Sequence, residues 1–261
     1  MVRVTYILDY IGQVTIAACE HVGFFTLFLV RAIKTLFTTK LKLHKVFTQM
    51  NRIGVESFNI VALTGGFTGM VFALQSYIGF QRVGGEQFIG AVVALGLIRE
   101  LGPVLTGLMI TGRAGSAITA EIGTMRITEQ IDALRTLRIN TFQYLVVPRI
   151  LASTLIVPCL TIFAMIFGIV GGYIICVYVL QLSPEDYKSS IQNFVELSDV
   201  RGGLIKSSVF GFILAWIGTY KGYYTSGGAR GVGIATTQSV VLSSILILVS
   251  NYFLTKMLEQ M

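Results

Sequence analysis

The chain has 261 residues, of which 54% are hydrophobic and 13% charged, about half the charge usage of an ordinary soluble domain. That is the composition of a membrane protein, and the length fits one membrane domain with little left for a soluble one. The net charge of +7 does not point to nucleic acid, because the basic residues lie between apolar segments and no soluble basic domain accompanies them.

In chain order, the first twenty residues hold one early basic residue, and Asp9 and Gln13 interrupt any apolar run, so no secretory signal is expected. Residues 22–37 are strongly apolar but contain Arg31 and Lys34 and lead into Lys40, Lys42 and Lys45. Sixteen residues are few for a span. The cations beside Phe24, Phe25, Phe28 and Phe37 predict an amphipathic helix in the headgroup region, within an N-terminal interfacial segment over 1–50.

Five spans are expected after it. Span 1 covers 58–80 without a charge, and Gly65 and Gly69 stand four apart, a spacing that lets another helix approach closely. Span 2 covers 88–112 and holds Arg99 and Glu100 at its centre, followed by a charged stretch over 113–149. Residues 150–184 are free of charge and too long for a bilayer core of about 30 Å, so span 3 is expected to tilt, bend at Pro158 or extend beyond it. Gly168 and Gly172 repeat the small-residue spacing. A polar island over 183–201 opens on Ser183-Pro184-Glu185, the signature of a helix start. Span 4 covers 203–220, a glycine-rich loop 221–233, and span 5 234–255.

Basic residues orient these spans. With the N-terminus inside, seven Lys and Arg precede span 1, five lie between spans 2 and 3, and two between spans 4 and 5. Only Arg82, Lys188, Arg201, Lys206 and Lys256 fall outside, so the N-terminus and the 113–149 stretch are expected in the cytoplasm.

No phosphate-cradling G-x-x-x-x-G-K-[ST] sequence is present; the look-alike 203–207 lacks the glycine before Lys206. The chain is therefore not expected to hydrolyse ATP, and no catalytic group or cofactor of its own is expected. His21 and His44 sit apart from the cysteines, and Cys19, Cys159 and Cys176 are scattered, so neither a metal site nor a disulfide framework is expected.

Residues 128–138 have the marks of a short helix, with Thr128 as its cap, Glu129 in the first turn, Arg135 and Arg138 in the last, and Asn140 as its stop. Ile131, Leu134 and Leu137 form one apolar edge. Such a helix either rests on the membrane surface or docks into a cytoplasmic partner. Arg99 and Glu100 cannot neutralise one another, since adjacent helical residues point about 100° apart. Each needs a partner, because a mid-membrane charge costs about 2.5 to 3.5 kcal/mol on insertion scales. Pro103 leaves the Arg99 carbonyl without its helical donor, and Gly102 loosens the same turn. The pair either ties helices together or lines a substrate path.

At these residues the sequence resembles the MlaE-type permeases of bacterial lipid transport and their plastid relatives. The resemblance rests on 99–107 (RELGPVLTG), Gly112-Arg113-Ala114-Gly115-Ser116-Ala117, Ala120-Glu121-Ile122-Gly123-Thr124-Met125, 128–134 and Val147-Pro148-Arg149, with a second block at 227–237 and 251–255. It implies an all-α integral membrane fold of an amphipathic N-terminal helix and five transmembrane helices, the permease domain over 51–261. The resemblance further implies a homodimer, a separate cytoplasmic ATPase that binds ATP and Mg, MCE-domain proteins on the outer side, and phospholipid as cargo in a bacterial inner membrane or plastid envelope. Glu121, Thr128, Glu129, Asp132 and Arg135 would then belong to the region contacting the ATPase, the 183–201 island to an external helix, and Arg99 and Glu100 to the lipid path. Ile234, Gln238 and Asn251 depart from the family pattern, which often has charged residues there. From residues alone, an ion-coupled secondary transporter using Arg99 and Glu100 stays open.

Overall fold

The computed structural model describes residues 2–39 and 42–258, and so Lys40 of the predicted basic stretch lies outside the described residues. Among the described residues ten α-helices follow one another: α1 (Val2–Thr38), α2 (Leu43–Phe80), α3 (Ile89–Gly96), α4 (Gly102–Ile110), α5 (Ser116–Ile127), α6 (Gln130–Thr136), α7 (Val147–Ile174), α8 (Pro184–Phe194), α9 (Leu197–Tyr223) and α10 (Gly228–Leu258). Four π-helical turns, Leu97–Leu101, Thr111–Gly115, Phe142–Val146 and Ile175–Val179, splice α3, α4 and α5 into one rod and extend α7 at both ends. Among the described residues, five helical stretches are long and apolar enough to cross a membrane: Leu43–Phe80, Glu86–Ile127, Phe142–Val179, Leu197–Tyr223 and Gly228–Leu258. The chain is an all-α integral membrane protein.

The helices overrun the apolar segments that announce them. α2 begins fifteen residues before the predicted span, so the expected boundary near residue 50 falls inside a helix. Span 2 does not end at Gly112 but continues through a π turn into α5, whose Ile118, Thr119 and Ile122 are buried. The glycine-rich loop shrinks to 224–227, bounded by Gly227 and Gly228 at φ 86° and 65°. In each case a formed helix propagates into polar sequence at little cost per residue. α1, expected as a short interfacial segment, likewise extends over 37 residues.

α2 and α7 form the closest pair. A Cβ on Gly65 would stand 2.6 Å from the Ala164 carbonyl, one on Gly171 2.5 Å from that of Gly66, and one on Gly69 would run into the Gly168 backbone. The two predicted glycine pairs thus meet each other, with Gly172 beside the Tyr187 hydroxyl of α8. α10 packs on α5 and α9 through small polar groups, including a buried 2.9 Å bond between the Thr119 and Ser239 hydroxyls.

One end of the bundle carries α6, the start of α2 and the α9–α10 turn; the other carries α8. Ser183 caps α8 by accepting the Asp186 N–H, and Tyr187 donates to the Ile169 carbonyl at 3.1 Å. Burial pushes the Tyr187 hydroxyl up from its ordinary pKa, keeping it a neutral donor. The polar island is therefore two pieces, α8 and the first turn of α9, split by Val195 and Glu196 in extended conformation.

Candidate functional site: a charged cavity between the π turn at Arg99, α9 and α10

The site begins with Pro103. Its missing N–H widens the preceding turn to π geometry, in which Gly102 N–H bonds the Leu97 carbonyl. The Arg99 carbonyl accepts instead from Lys206 Nζ of α9 at 2.9 Å. Gly203, one turn earlier, lets α9 lie against the Ile98 carbonyl.

Lys206 is buried, its side chain 3% exposed, and its three protons have three acceptors: the Arg99 carbonyl, Glu100 Oε1 at 2.6 Å and Thr255 Oγ1 at 2.7 Å. Glu100 takes two further groups from α10, Asn251 Nδ2 at 2.8 Å on Oε2 and the Thr255 hydroxyl at 2.9 Å on Oε1. Thr255 also lies 2.8 Å from the Asn251 carbonyl, its single proton serving one of the two acceptors. The π turn before α4 is therefore cross-linked to α9 and α10 through one carboxylate and one ammonium.

Arg99 leans the other way. Its Nε and Nη2 reach Asp199 Oδ1 at 2.7 and 2.6 Å, while Asp199 Oδ2 accepts the Glu196 backbone N–H and fastens the first turn of α9. Asp199 is 6% exposed but Arg99 54%, because the guanidinium stands over a cavity of about 430 Å³. Glu196, Ser198, Gly202 and Leu258 complete its lining beside the residues already named. In this apolar bundle it is a chamber with a charged wall, and Arg99 offers it donors not consumed by Asp199.

The structure thus supplies separate partners for Arg99 and Glu100. Sequence reasoning misses those partners: it places Asp199 in the polar island over 183–201 and Lys206 among the outer basic residues. A signal existed. Asp199, Gly203 and Lys206 stand at i, i+4 and i+7, one face of a helix, carrying an acid, a clearance and a base that answer span 2. Of the departures from the family pattern, Asn251 joins the cluster. Ile234 and Gln238 lie at the other end of α10, where Gln238 accepts from Lys221 at 3.1 Å.

At the α6 end, charges form a second set. Glu121 bridges Arg52 and Arg149, each at 3.0 Å, so it ties α5 to α2 and α7. Arg113 pairs with Glu56 and bonds Ser57 at 2.9 Å. Thr128 does not cap α6: its hydroxyl returns to the Thr124 carbonyl at 2.8 Å, because α5 persists to Ile127. The turn into α6 is made by Glu129 at φ 59°, so α6 begins at Gln130. Asp132 binds Arg126 at 2.8 Å and Arg135 at 3.0 Å. Arg135 also donates to the Tyr223 hydroxyl at 2.7 Å, a bond that raises its pKa further and pins α6 to α9. Of the predicted apolar edge, Ile131 is buried, Leu134 half-buried and Leu137 exposed, leaving Glu129, Gln130, Ala133 and Leu137 as an open ridge.

Residues 46–257 match the protein family described as Permease MlaE. A probable ABC transporter permease protein of Rickettsia typhi is 47% identical over 97% of this chain and 97% of its own length. The intermembrane phospholipid transport system permease protein MlaE of Haemophilus influenzae is 38% identical over 79% of this chain and 80% of its own. The chloroplastic protein TRIGALACTOSYLDIACYLGLYCEROL 1 of Arabidopsis thaliana is 37% identical over 85% and 63%. With the match covering most of the chain and all five spans, this protein belongs to the MlaE permease family.

Proposed function

We propose that the chain is the membrane subunit of an ABC transporter that moves phospholipid between membranes, driven by a separate ATPase that binds ATP and Mg. The observation that carries this reading is the cavity at Arg99. A phospholipid needs an apolar bundle for its chains and a cation for its phosphate, and the half-exposed guanidinium supplies the second. Lys206, with every proton engaged, acts as a strut instead of a headgroup ligand. The names of the Rickettsia and Haemophilus relatives, an ABC permease and a phospholipid permease, agree with this chemistry.

In this reading two copies of the chain sit in a bacterial inner membrane or a plastid envelope with the α6 end in the cytoplasm. Placing Lys206 inside the bundle removes one cation from the outer count and strengthens the positive-inside bias. The α6 ridge docks the ATPase, and the α8 end faces an MCE-domain protein that hands lipid on. ATP-driven closure tilts the rods through α6 and reshapes the cavity.

The test is ATP-dependent transfer of labelled phospholipid by the complex in proteoliposomes. Glu100→Gln, which keeps the shape but weakens the hold on Lys206, is expected to lower transfer about tenfold while subunit assembly stays intact. Wild-type rates in that variant would remove the Glu100 cluster from the lipid path.

A further inference from the structure

A second cavity lies at the opposite end of the bundle from Arg99, beneath α1. Its volume is about 370 Å³, within the roughly 300 to 1,000 Å³ of small-molecule sites. Phe24, Leu27, Phe28 and Val30 form the apolar walls, and Arg31 and Lys34 stand at the rim. Phe24, Leu27, Arg31 and Lys34 recur at three- and four-residue intervals, so they make one strip along α1. That strip is apolar for its first half and cationic for its second, about 15 Å from end to end at 1.5 Å per residue.

The cations lack anionic partners. No Asp or Glu lines the groove, and among the described residues neither Arg31 nor Lys34 forms an ion pair. Arg31 lies 5.5 Å from the centre of the Phe142 ring, and the same turn offers Tyr144 to Lys42 and Lys45. Arg31, Lys42 and Lys45 thus form a cationic rim resting on aromatic faces, with no acidic partner among the described residues. α1 itself is held chiefly by rings: Phe28 is buried among Phe142, Tyr220, Tyr223 and Tyr224, and Phe25 stacks on Trp216 with centroids 4.0 Å apart.

We propose that this groove holds an anionic phospholipid of the surrounding leaflet, its phosphate between Arg31 and Lys34 and an acyl chain along Phe24, Leu27 and Val30. The order of the strip, tail side then head side, matches the order of groups in a lipid, and the missing negative charge is what the phosphate brings. The occupant is a bound lipid that fastens α1 to the bundle, separate from cargo at the Arg99 cavity.

The experiment measures thermal unfolding of the purified full chain in mixed micelles containing phosphatidylglycerol or phosphatidylcholine. Wild type is expected to gain more from phosphatidylglycerol. The double variant Arg31→Gln with Lys34→Gln should need about 30-fold more of it for the same shift, from about fivefold per surface cation. Leu27→Trp, which keeps both cations and fills the apolar wall, should lose the preference as well. Lipid entering the Arg99 cavity affects all three proteins alike. The proposal is overturned if phosphatidylcholine serves equally, if the double variant responds like wild type, or if inorganic phosphate alone reproduces the gain. It is also overturned if Leu27→Trp keeps the full response, since the headgroups would then gather on bare charge.

Discussion

The two charged regions of this bundle are built to different rules. Around Arg99 the acids and bases are few, and each pair sets a buried member against a more exposed one: Lys206 and Asp199 are almost wholly buried and each serves several groups, while Glu100 and Arg99 reach the cavity. At the α6 end the ion pairs are more numerous and mostly half-exposed, with Asp132 shared between two arginines that water also reaches. The first arrangement closes helices onto one another and leaves one guanidinium for the cavity. The second holds α6 on the surface through Ile131 and the Arg135–Tyr223 bond and leaves its outer ridge open. Burial of one partner in each pair therefore separates the Arg99 cluster, proposed above as the lipid site, from the α6 end, proposed as the ATPase contact.

The sharpest way to break this contrast is Lys206→Met. It leaves Glu100 without its ammonium and the Arg99 carbonyl without a donor, and removing one partner of a buried pair costs about 3 kcal/mol or more. The low end is expected because Asn251 and Thr255 still serve Glu100. Thermal unfolding in detergent reads the loss, and adding Glu100→Gln should recover part of it. A Lys206→Met protein as stable as wild type would show that the cluster is not a strut.

Arg149→Met tests the other region at its most buried point, where the Arg149 side chain is 5% exposed. Glu121 keeps Arg52 and some water, so the expected loss is smaller, about 1 to 2 kcal/mol by the same assay. A loss equal to that of Lys206→Met would erase the distinction between the two regions.

Much of the architecture could be read from the chain because lipid imposes it. Charge-free stretches announce five crossings, and a mid-span Arg-Glu pair announces an expense that must be met. The glycine pairs of α2 and α7 also announce close approach, though not that they approach each other. What stayed hidden were pairings across a hundred residues and helix ends. Lys206 and Asp199 carry no local sign of being buried, since a charge beside an apolar run equally marks a membrane boundary. Thr128 has the residue type of a cap, but α5 still runs to Ile127 beside it, which nothing local in the sequence marks. Lipid as the cargo is implied by resemblance alone, and the half-exposed guanidinium over the cavity, on which the proposed cargo rests, is not legible in the sequence.

The smallest expected effect on stability, and the most specific one on function, belongs to α6. Reversing Glu129 and Asp132 to Lys removes two exposed or half-exposed acids and strands Arg126 and Arg135 in water, which costs less than about 1 kcal/mol. Arg135 retains its bond to Tyr223, so α6 should stay in place. Membrane insertion and unfolding temperature are thus expected to be near wild type, while co-purification of the ATPase falls sharply because the ridge it would grip has changed sign. Undiminished co-purification would place the ATPase contact elsewhere on this end of the bundle. An equal fall in stability would make α6 a structural brace like the cluster at Arg99, and the two regions would then differ only in depth.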